Sequence, residues 1–158
     1  LPQDGSYRLT MVGYGPLYEQ LSTYAYEQLR LSSELLQFVV KPTQEQLLNL
    51  YQNADLFLFS STTDTQGLVL AESMSQGTPV VAIDGPGQRG IIKNGENGFI
   101  VQNLNEMKEV VAQIACDPLL HQKLQQGACR TAREYDPQLC AQKMLLVYEQ
   151  QLLRAPFQ

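Results

Sequence analysis

Short apolar segments alternate with longer amphipathic segments up to residue 101, and this alternation limits the fold more than any other feature. The apolar segments have the length of β-strands, and several are nearly continuous, which is typical of strands buried on both faces of a parallel sheet. The predicted strands are residues 7–12, 35–39, 55–59, 79–83 and 98–101. Helices between parallel strands predict an α/β domain, Rossmann-like, with a doubly wound parallel sheet.

Helix-start and helix-stop residues mark the amphipathic segments. Thr43 and Gln46 form a capping-box pair, and Gly67 and Gly77 flank a further helix at residues 68–76. The other start signals are Pro16, Asn103 with Glu106, Asp117 with Pro118, and Asp136 with Pro137. After residue 101 the helices follow one another without strands, so the domain carries extra C-terminal helices.

Composition excludes several classes of function. A chain of 158 residues that is 44% apolar fits one domain, 1–158, and its net charge of −5 argues against nucleic-acid binding. No apolar run approaches the roughly 18 residues of a membrane span, and the N-terminus lacks the pattern of a signal peptide. Three cysteines without a CxxC pair indicate free thiols in a reducing compartment, so we expect a cytoplasmic protein.

The segments that follow the predicted strands are the candidates for ligand binding, because ligands of open parallel sheets bind beyond the carboxyl ends of the strands. Residues 13–16, Gly-Tyr-Gly-Pro, follow the first strand and permit close approach of a ligand to the backbone. A plain strand–helix turn is an equal alternative.

The third strand leads into a polar loop at residues 60–67, which ends at a helix N-terminus and favours an anion. Asp64 lies before that helix, and Glu72 lies one turn inside it. Carboxylates accept hydrogen bonds from hydroxyl groups, which a ribose or a sugar would supply. The alternative is a helix cap at Asp64 and a solvated Glu72.

Two further features carry weaker expectations. Residues 84–90 are so rich in glycine and proline that we predict neither helix nor strand there; Arg89 could face an anion, or the segment could be a surface turn. His121, the only histidine, has no partner at ligand spacing, so we predict a surface or packing role and no metal site.

Taken together, these segments resemble the C-terminal, donor-binding domain of the group 1 glycosyltransferases, which are retaining enzymes of the GT-B architecture in glycosyltransferase family 4. The resemblance covers nearly the whole chain and includes the "VGxGP" strand-turn and an acidic motif around residues 64–72. The matching segments are residues 9–16, 37–40, 50–61, 65–74, 77–82 and 94–101.

The resemblance implies a role for each matching residue. Asp64 would contact hydroxyls of the donor sugar, and Glu72 would bind the ribose of the nucleotide. Amides of Gln66, Gly67 and Leu68 would face the sugar and the diphosphate. The remaining donor-binding positions would be Gly13 and Gly15 in the strand-turn, Lys41 at the base, and Leu47 beside it.

The resemblance also implies transfer of a sugar from a nucleotide diphosphate sugar, most often a UDP-sugar, to a glycan or lipid acceptor, without a cofactor and usually without a metal. The chain lacks the family's first strand–helix unit and its acceptor-binding N-terminal domain. We therefore expect a fragment of a two-domain enzyme that has no turnover alone. Any membrane contact would belong to the missing half.

This sequence departs from the family pattern at three positions, and other functions remain open. Asp64 is one methylene shorter than the usual Glu, Gly90 replaces a frequent acidic residue, and Val40 replaces a frequent glycine. One alternative is a module that binds a nucleotide or sugar without chemistry, and another is a GT-B epimerase or phosphorylase. No lysine motif for pyridoxal phosphate supports the phosphorylase, and a receiver-like signalling domain would need acidic residues after the first strand.

Overall fold

A computed structural model describes residues 5–154, with side chains up to residue 152. The chain forms two compact units, Leu1–Asn49 and Leu50–Gln158. In both units the strands run parallel and are separated by helices. The α/β class and the Rossmann-like pattern predicted from the sequence are therefore confirmed.

The first unit contains a two-stranded parallel ladder. Strand β1 (Leu9–Val12) pairs with β2 (Leu36–Val39) along their whole lengths. Helix α1 (Tyr18–Thr23) connects them and continues as a π-helical segment, Tyr24–Gln28. The Tyr26 hydroxyl donates a hydrogen bond to the Leu36 carbonyl at 2.9 Å, which ties this segment to β2.

Helix α2 (Gln44–Gln52) begins at the predicted capping box. The Thr43 amide donates to Gln46 Oε1 at 2.9 Å, and the Gln46 amide donates to Thr43 Oγ1 at 3.2 Å. Both hydrogen bonds of the capping box are therefore present.

The second unit contains a three-stranded parallel sheet of order β3–β4–β5, and helices cover it. Its elements in chain order are β3 (Phe57–Phe59), α3 (Leu68–Ser75), β4 (Val80–Ile83), α4 (Pro86–Arg89), β5 (Gly98–Val101), α5 (Leu104–Cys116), α6 (Pro118–Glu134) and α7 (Pro137–Arg154). The predicted C-terminal helices are present, and Asn103, Asp117 and Asp136 cap their N-termini through side-chain oxygens.

The core of the second unit lies around the central strand β4. Its apolar residues are almost completely buried: Leu70, Met74, Val80, Ala82, Ile91, Ile92 and Ala128. Because β4 has a strand on each side and helices over it, its burial matches its nearly continuous apolar sequence.

The prediction of local structure for residues 84–90 is wrong. Residues 84–90 were expected to form neither helix nor strand, but Pro86–Arg89 form the short helix α4. Pro86 occupies the first turn, where its missing N–H is not needed, and Arg89 bonds back to Asp84. The position of Pro86 and the contact between Arg89 and Asp84 stabilise one turn of helix in spite of the glycines.

The turn before β5 is fixed by a buried asparagine. Asn97 Oδ1 accepts from the Lys93 amide at 2.8 Å, and Nδ2 donates to the Ile91 carbonyl and to Thr131 Oγ1. On the same face of α6, Gly127 touches the carbonyl of Glu96 so closely that a Cβ would overlap it. The turn and α6 therefore pack backbone to backbone.

Four of the five described strands have one unpaired edge. Strands β1 and β2 pair only with each other, and β3 and β5 pair only with β4. A parallel strand is normally paired and covered on both sides, whereas most of β1 is exposed. None of the described helices has the length and apolar character needed to cross a membrane.

Candidate functional site

An open depression of about 260 Å³ lies where β3 leads into α3. It is at the carboxyl end of a parallel strand, where ligands of such sheets bind. Its lining residues are Thr63, Asp64, Thr65, Gln66, Leu68 and Val69. Three of the residues predicted from the sequence (Asp64, Gln66 and Leu68) therefore share one surface.

The Asp64 carboxylate caps its own loop. Its Oδ1 accepts hydrogen bonds from the amides of Gln66 at 2.8 Å and Gly67 at 2.6 Å. These contacts close a turn within the loop and do not cap α3, whose N-cap residue is Gly67, so Asp64 does not form the helix cap that the sequence left open as the alternative. Two of the three amides expected to face the donor are thus bonded to Asp64, and Oδ2 has no partner among the described residues.

The N-terminus of α3 keeps two unpaired amides. Gly67, the N-cap residue, has a left-handed backbone (φ 65°), and no side chain caps the helix from that position. Within the described part of the chain, the amides of Leu68 and Val69 have no acceptor. Since the helix dipole is positive at this end, these amides can bind an anion in the depression.

Glu72 is half-buried on α3 and lies close to Tyr51, a buried residue at the end of α2. Burial, and then the Glu72 charge, raise the pKa of Tyr51 to about 12. The Tyr51 ring also packs edge-on against Phe57, with ring centroids 5.2 Å apart. Sequence reasoning assigned no role to Tyr51, because its neighbour Glu72 is distant in sequence.

Helix α4 holds the loop that carries Asp64. The Gly87 amide donates to the Asp64 carbonyl at 3.0 Å, and Gln88 Nε2 donates to the Ser61 carbonyl at 2.5 Å. Gly67 and Gly87 face each other so closely that a Cβ on Gly67 would lie 2.6 Å from the Gly87 carbonyl oxygen. No sequence pattern indicated these contacts.

Arg89 faces an anion inside the chain. Its Nε and Nη2 each lie 2.8 Å from a carboxylate oxygen of Asp84, and its side chain is 68% exposed. The hydrogen bond from Arg89 lowers the pKa of Asp84, and the same contact raises the pKa of Arg89. The ion pair joins Arg89, the last residue of α4, to Asp84, which precedes the helix. Arg89 is not among the residues that line the depression.

The other predicted site residues lie in the first unit. Gly13 (φ 155°) and Gly15 form the exposed turn after β1. Lys41, after β2, places its ammonium 4.9 Å from the ring centre of Tyr14 in that turn. Leu47 is half-buried on α2. The structure thus brings Lys41 to the Gly13–Gly15 turn, as expected for residues at the ends of neighbouring parallel strands.

A second depression, of about 470 Å³, lies at the opposite end of α3. Its lining residues are Gln76, Gly77, Gln125, Gln126, Cys129, Arg130 and Arg133. Because residues 76–77 precede β4, this surface lies at the amino end of a strand, away from the edge where ligands of parallel sheets bind.

The described residues contain no group of three or more His, Cys, Asp or Glu side chains that could hold a metal ion. The ring of His121 lies with Nε2 2.8 Å from the Asp55 carbonyl oxygen, which links α6 to the segment before β3. This contact agrees with the packing role predicted for His121.

Comparisons with known proteins place these features in a family. A family profile described as glycosyl transferases group 1 matches residues 1–131. The D-inositol 3-phosphate glycosyltransferase of Thermomonospora curvata is 30% identical over 118 residues, which cover 73% of this chain and 27% of the relative. The alpha-monoglucosyldiacylglycerol synthase of Streptococcus pneumoniae is 31% identical over 113 residues, 72% of this chain and 25% of the relative.

Solved structures show the same fold. The crystal structure of Anabaena HepE in complex with UDP-glucose matches with a TM-score of 0.78 at 21% identity, covering 90% of this chain and 41% of the other. The crystal structure of TarM matches with a TM-score of 0.75 at 20% identity, covering 92% and 29%. The chain spans about a quarter of the length of these two curated relatives.

Proposed function

The chain belongs to the group 1 glycosyl transferases, and from this premise we propose that it is the donor-binding part of a longer, retaining glycosyltransferase. The donor is a nucleotide diphosphate sugar, most simply a UDP-sugar, and the acceptor is a hydroxyl of a glycan or lipid. The observation that carries the proposal is the depression at the α3 N-terminus, which combines unpaired amides with the Asp64 carboxylate.

The α3 N-terminus would stabilise the diphosphate. The amides of Leu68 and Val69 are unpaired among the described residues, and they point where the helix dipole favours negative charge. Negative charge grows on the diphosphate as the glycosidic bond breaks. Backbone amides that donate hydrogen bonds at this point therefore stabilise the transition state more than the ground state.

The two carboxylates would hold the hydroxyl groups of the donor. Asp64 Oδ2 is available for a sugar hydroxyl while Oδ1 keeps the loop in place. Glu72, half-buried beside Tyr51, would accept hydrogen bonds from ribose hydroxyls. That HepE was crystallised with UDP-glucose supports a uridine nucleotide as the first ligand to test.

The length of the relatives supports a longer polypeptide. The two curated relatives are about four times as long as the aligned segment. We propose that this additional part supplies the acceptor site and basic residues that would clamp the phosphates, and that the whole enzyme is cytoplasmic. This chain alone would bind donor without transferring the sugar.

Ligand-observed NMR tests the proposal with uridine, guanosine and adenosine diphosphates and their sugars. We expect selective binding that Glu72→Ala removes and that the exposed control Glu109→Ala preserves. If the wild-type chain binds nothing, the titration is repeated on a polypeptide extended upstream. Absence of binding there too would contradict the proposed function, and binding that survives Glu72→Ala would contradict the assigned site.

A further inference from the structure

Gln88 is a completely buried amide with one unsatisfied atom. Its relative exposure is 0%, and its Nε2 donates to the Ser61 carbonyl at 2.5 Å. Among buried side-chain nitrogen and oxygen atoms of the described residues, only Gln88 Oε1 lacks a hydrogen-bond partner. A buried acceptor without a partner carries a desolvation cost, so an amide at this position is a poor choice for stability alone.

The amide lies between the segments that follow two neighbouring strands. Nε2 reaches Ser61, which follows β3, while the side chain folds back over Gly85, which follows β4. A Cβ on Gly85 would lie 2.7 Å from Gln88 Oε1. The side chain therefore bridges the segment after β3 and the segment after β4 at the carboxyl edge of the sheet.

The preceding residue of α4, Gly87, holds the same loop from a second point. Gly87 donates its amide to the Asp64 carbonyl, and a Cβ on Gly87 would lie 2.8 Å from both Asp64 Oδ1 and the Gly67 amide nitrogen. Two consecutive residues of α4 thus hold both ends of the loop segment 61–64. The ion pair between Asp84 and Arg89 in turn ties the end of α4 to the segment before the helix.

We propose that Gln88 is a positioning residue of the donor site: it fixes the loop through the Ser61 carbonyl so that Asp64 and the α3 amides stay in a binding geometry. The ligand in this inference rests on the proposed function, whereas the effect on the loop does not. Gln88 touches the backbone of the loop and is not among the residues that line the depression.

Amide hydrogen exchange and UDP titration of the full chain, by NMR, test this role with Gln88→Met. Methionine fills a similar volume and removes both the hydrogen bond and the unsatisfied acceptor. We expect exchange at Gln66 and Gly67, whose amides donate to Asp64, to become about tenfold faster and UDP to bind about tenfold more weakly, the equivalent of one lost hydrogen bond. The melting temperature should stay the same or rise. Gln122→Met, exposed on α6, should change none of these quantities.

The outcomes separate this inference from the proposed function. Three results for Gln88→Met would each overturn it: unchanged loop exchange, acceleration spread evenly over α3 and β4, or a protein that does not fold. Gln88 would then either have no effect on the loop or be purely structural. Gln88→Asn, too short to reach Ser61, should accelerate loop exchange in the same way. UDP binding by wild type that Gln88→Met leaves intact would overturn the inference alone. Absence of UDP binding by every form, extended polypeptide included, would overturn the proposed function and leave the exchange result to decide the role of Gln88.

Discussion

Asp64 Oδ1 lies 2.6 Å from the amide nitrogen of Gly67 and accepts its hydrogen bond. The family pattern favours a glutamate here, which is one methylene longer. Its carboxylate would extend past the position from which Asp64 accepts the Gly67 hydrogen bond. The aspartate therefore stabilises the loop before any ligand binds. A diphosphate that approaches Gln66 and Gly67 must displace Asp64, or else bind through the amides of Leu68 and Val69.

The first prediction concerns the two roles of Asp64. Asp64→Ala should lower the free energy of unfolding by about 1 kcal/mol, because the amides of Gln66 and Gly67 lose their acceptor, whereas Asp64→Asn should keep most of the stability because its Oδ1 still accepts. Urea unfolding measures both. Both variants should weaken UDP-sugar more than UDP, since each loses the carboxylate proposed to hold the sugar. Equal stability of the two variants would contradict the role of Asp64 Oδ1 in holding the loop.

The second prediction concerns the Tyr51 phenol. Its pKa rises from 10.0 to about 12, so stability from the neutral phenol is complete below pH 10 and is lost as pH rises toward 12. Glu72→Gln should lower this pKa, though not to 10.0, because burial is the larger cause. Absorbance titration against Tyr51→Phe measures the shift. Glu109→Gln is the control, and an unchanged pKa in Glu72→Gln would show that the two residues are not neighbours.

The third prediction concerns the close packing of α6. Gly127→Ala should destabilise the fold by about 1–3 kcal/mol or more, because the added methyl group overlaps the Glu96 carbonyl. The matched control is Gly90→Ala, where φ is −80° and no atom lies within 4 Å of the new Cβ. Thermal unfolding compares the two variants. A similar melting temperature for both would mean that α6 does not contact this turn.

The fourth prediction concerns the buried amide of Asn97. Asn97→Ala removes three hydrogen bonds and leaves the Lys93 amide and the Thr131 hydroxyl unpaired, which should cost about 2–4 kcal/mol. Chemical denaturation measures this loss. Asn105→Ala, exposed in the first turn of α5, should stay within about 0.5 kcal/mol of wild type. A loss below 1 kcal/mol for Asn97→Ala would contradict the network.

The features predicted correctly from sequence are those that depend on nearby residues. The capping box of α2 joins Thr43 and Gln46, three positions apart, and both of its hydrogen bonds are present. The strand Gly98–Val101 was predicted with its observed bounds, while residues 7–12 and 55–59 were predicted two residues too long at their starts. Strand ends depend on pairing, which apolar patterning does not encode.

The features that escaped prediction depend on distant residues. Gln88 reaches Ser61 across 27 positions, and Asn97 reaches Thr131 across 34. The prediction for residues 84–90 failed because glycine content was weighed without the Asp84–Arg89 pair that stabilises α4. The loop residues of the site were located from their place after β3, but their hydrogen-bond partners became visible only in the folded chain.

The contact between Gly67 and Gly87 sets how this surface can evolve. Neither position can accept a side chain while the other segment stays in place. The effects of substituting the two glycines are therefore coupled, although the glycines lie on different segments of the chain. Thr63, Thr65 and Gln66, by contrast, are exposed on the same loop. Their side chains can diversify from lineage to lineage over a backbone that stays constant.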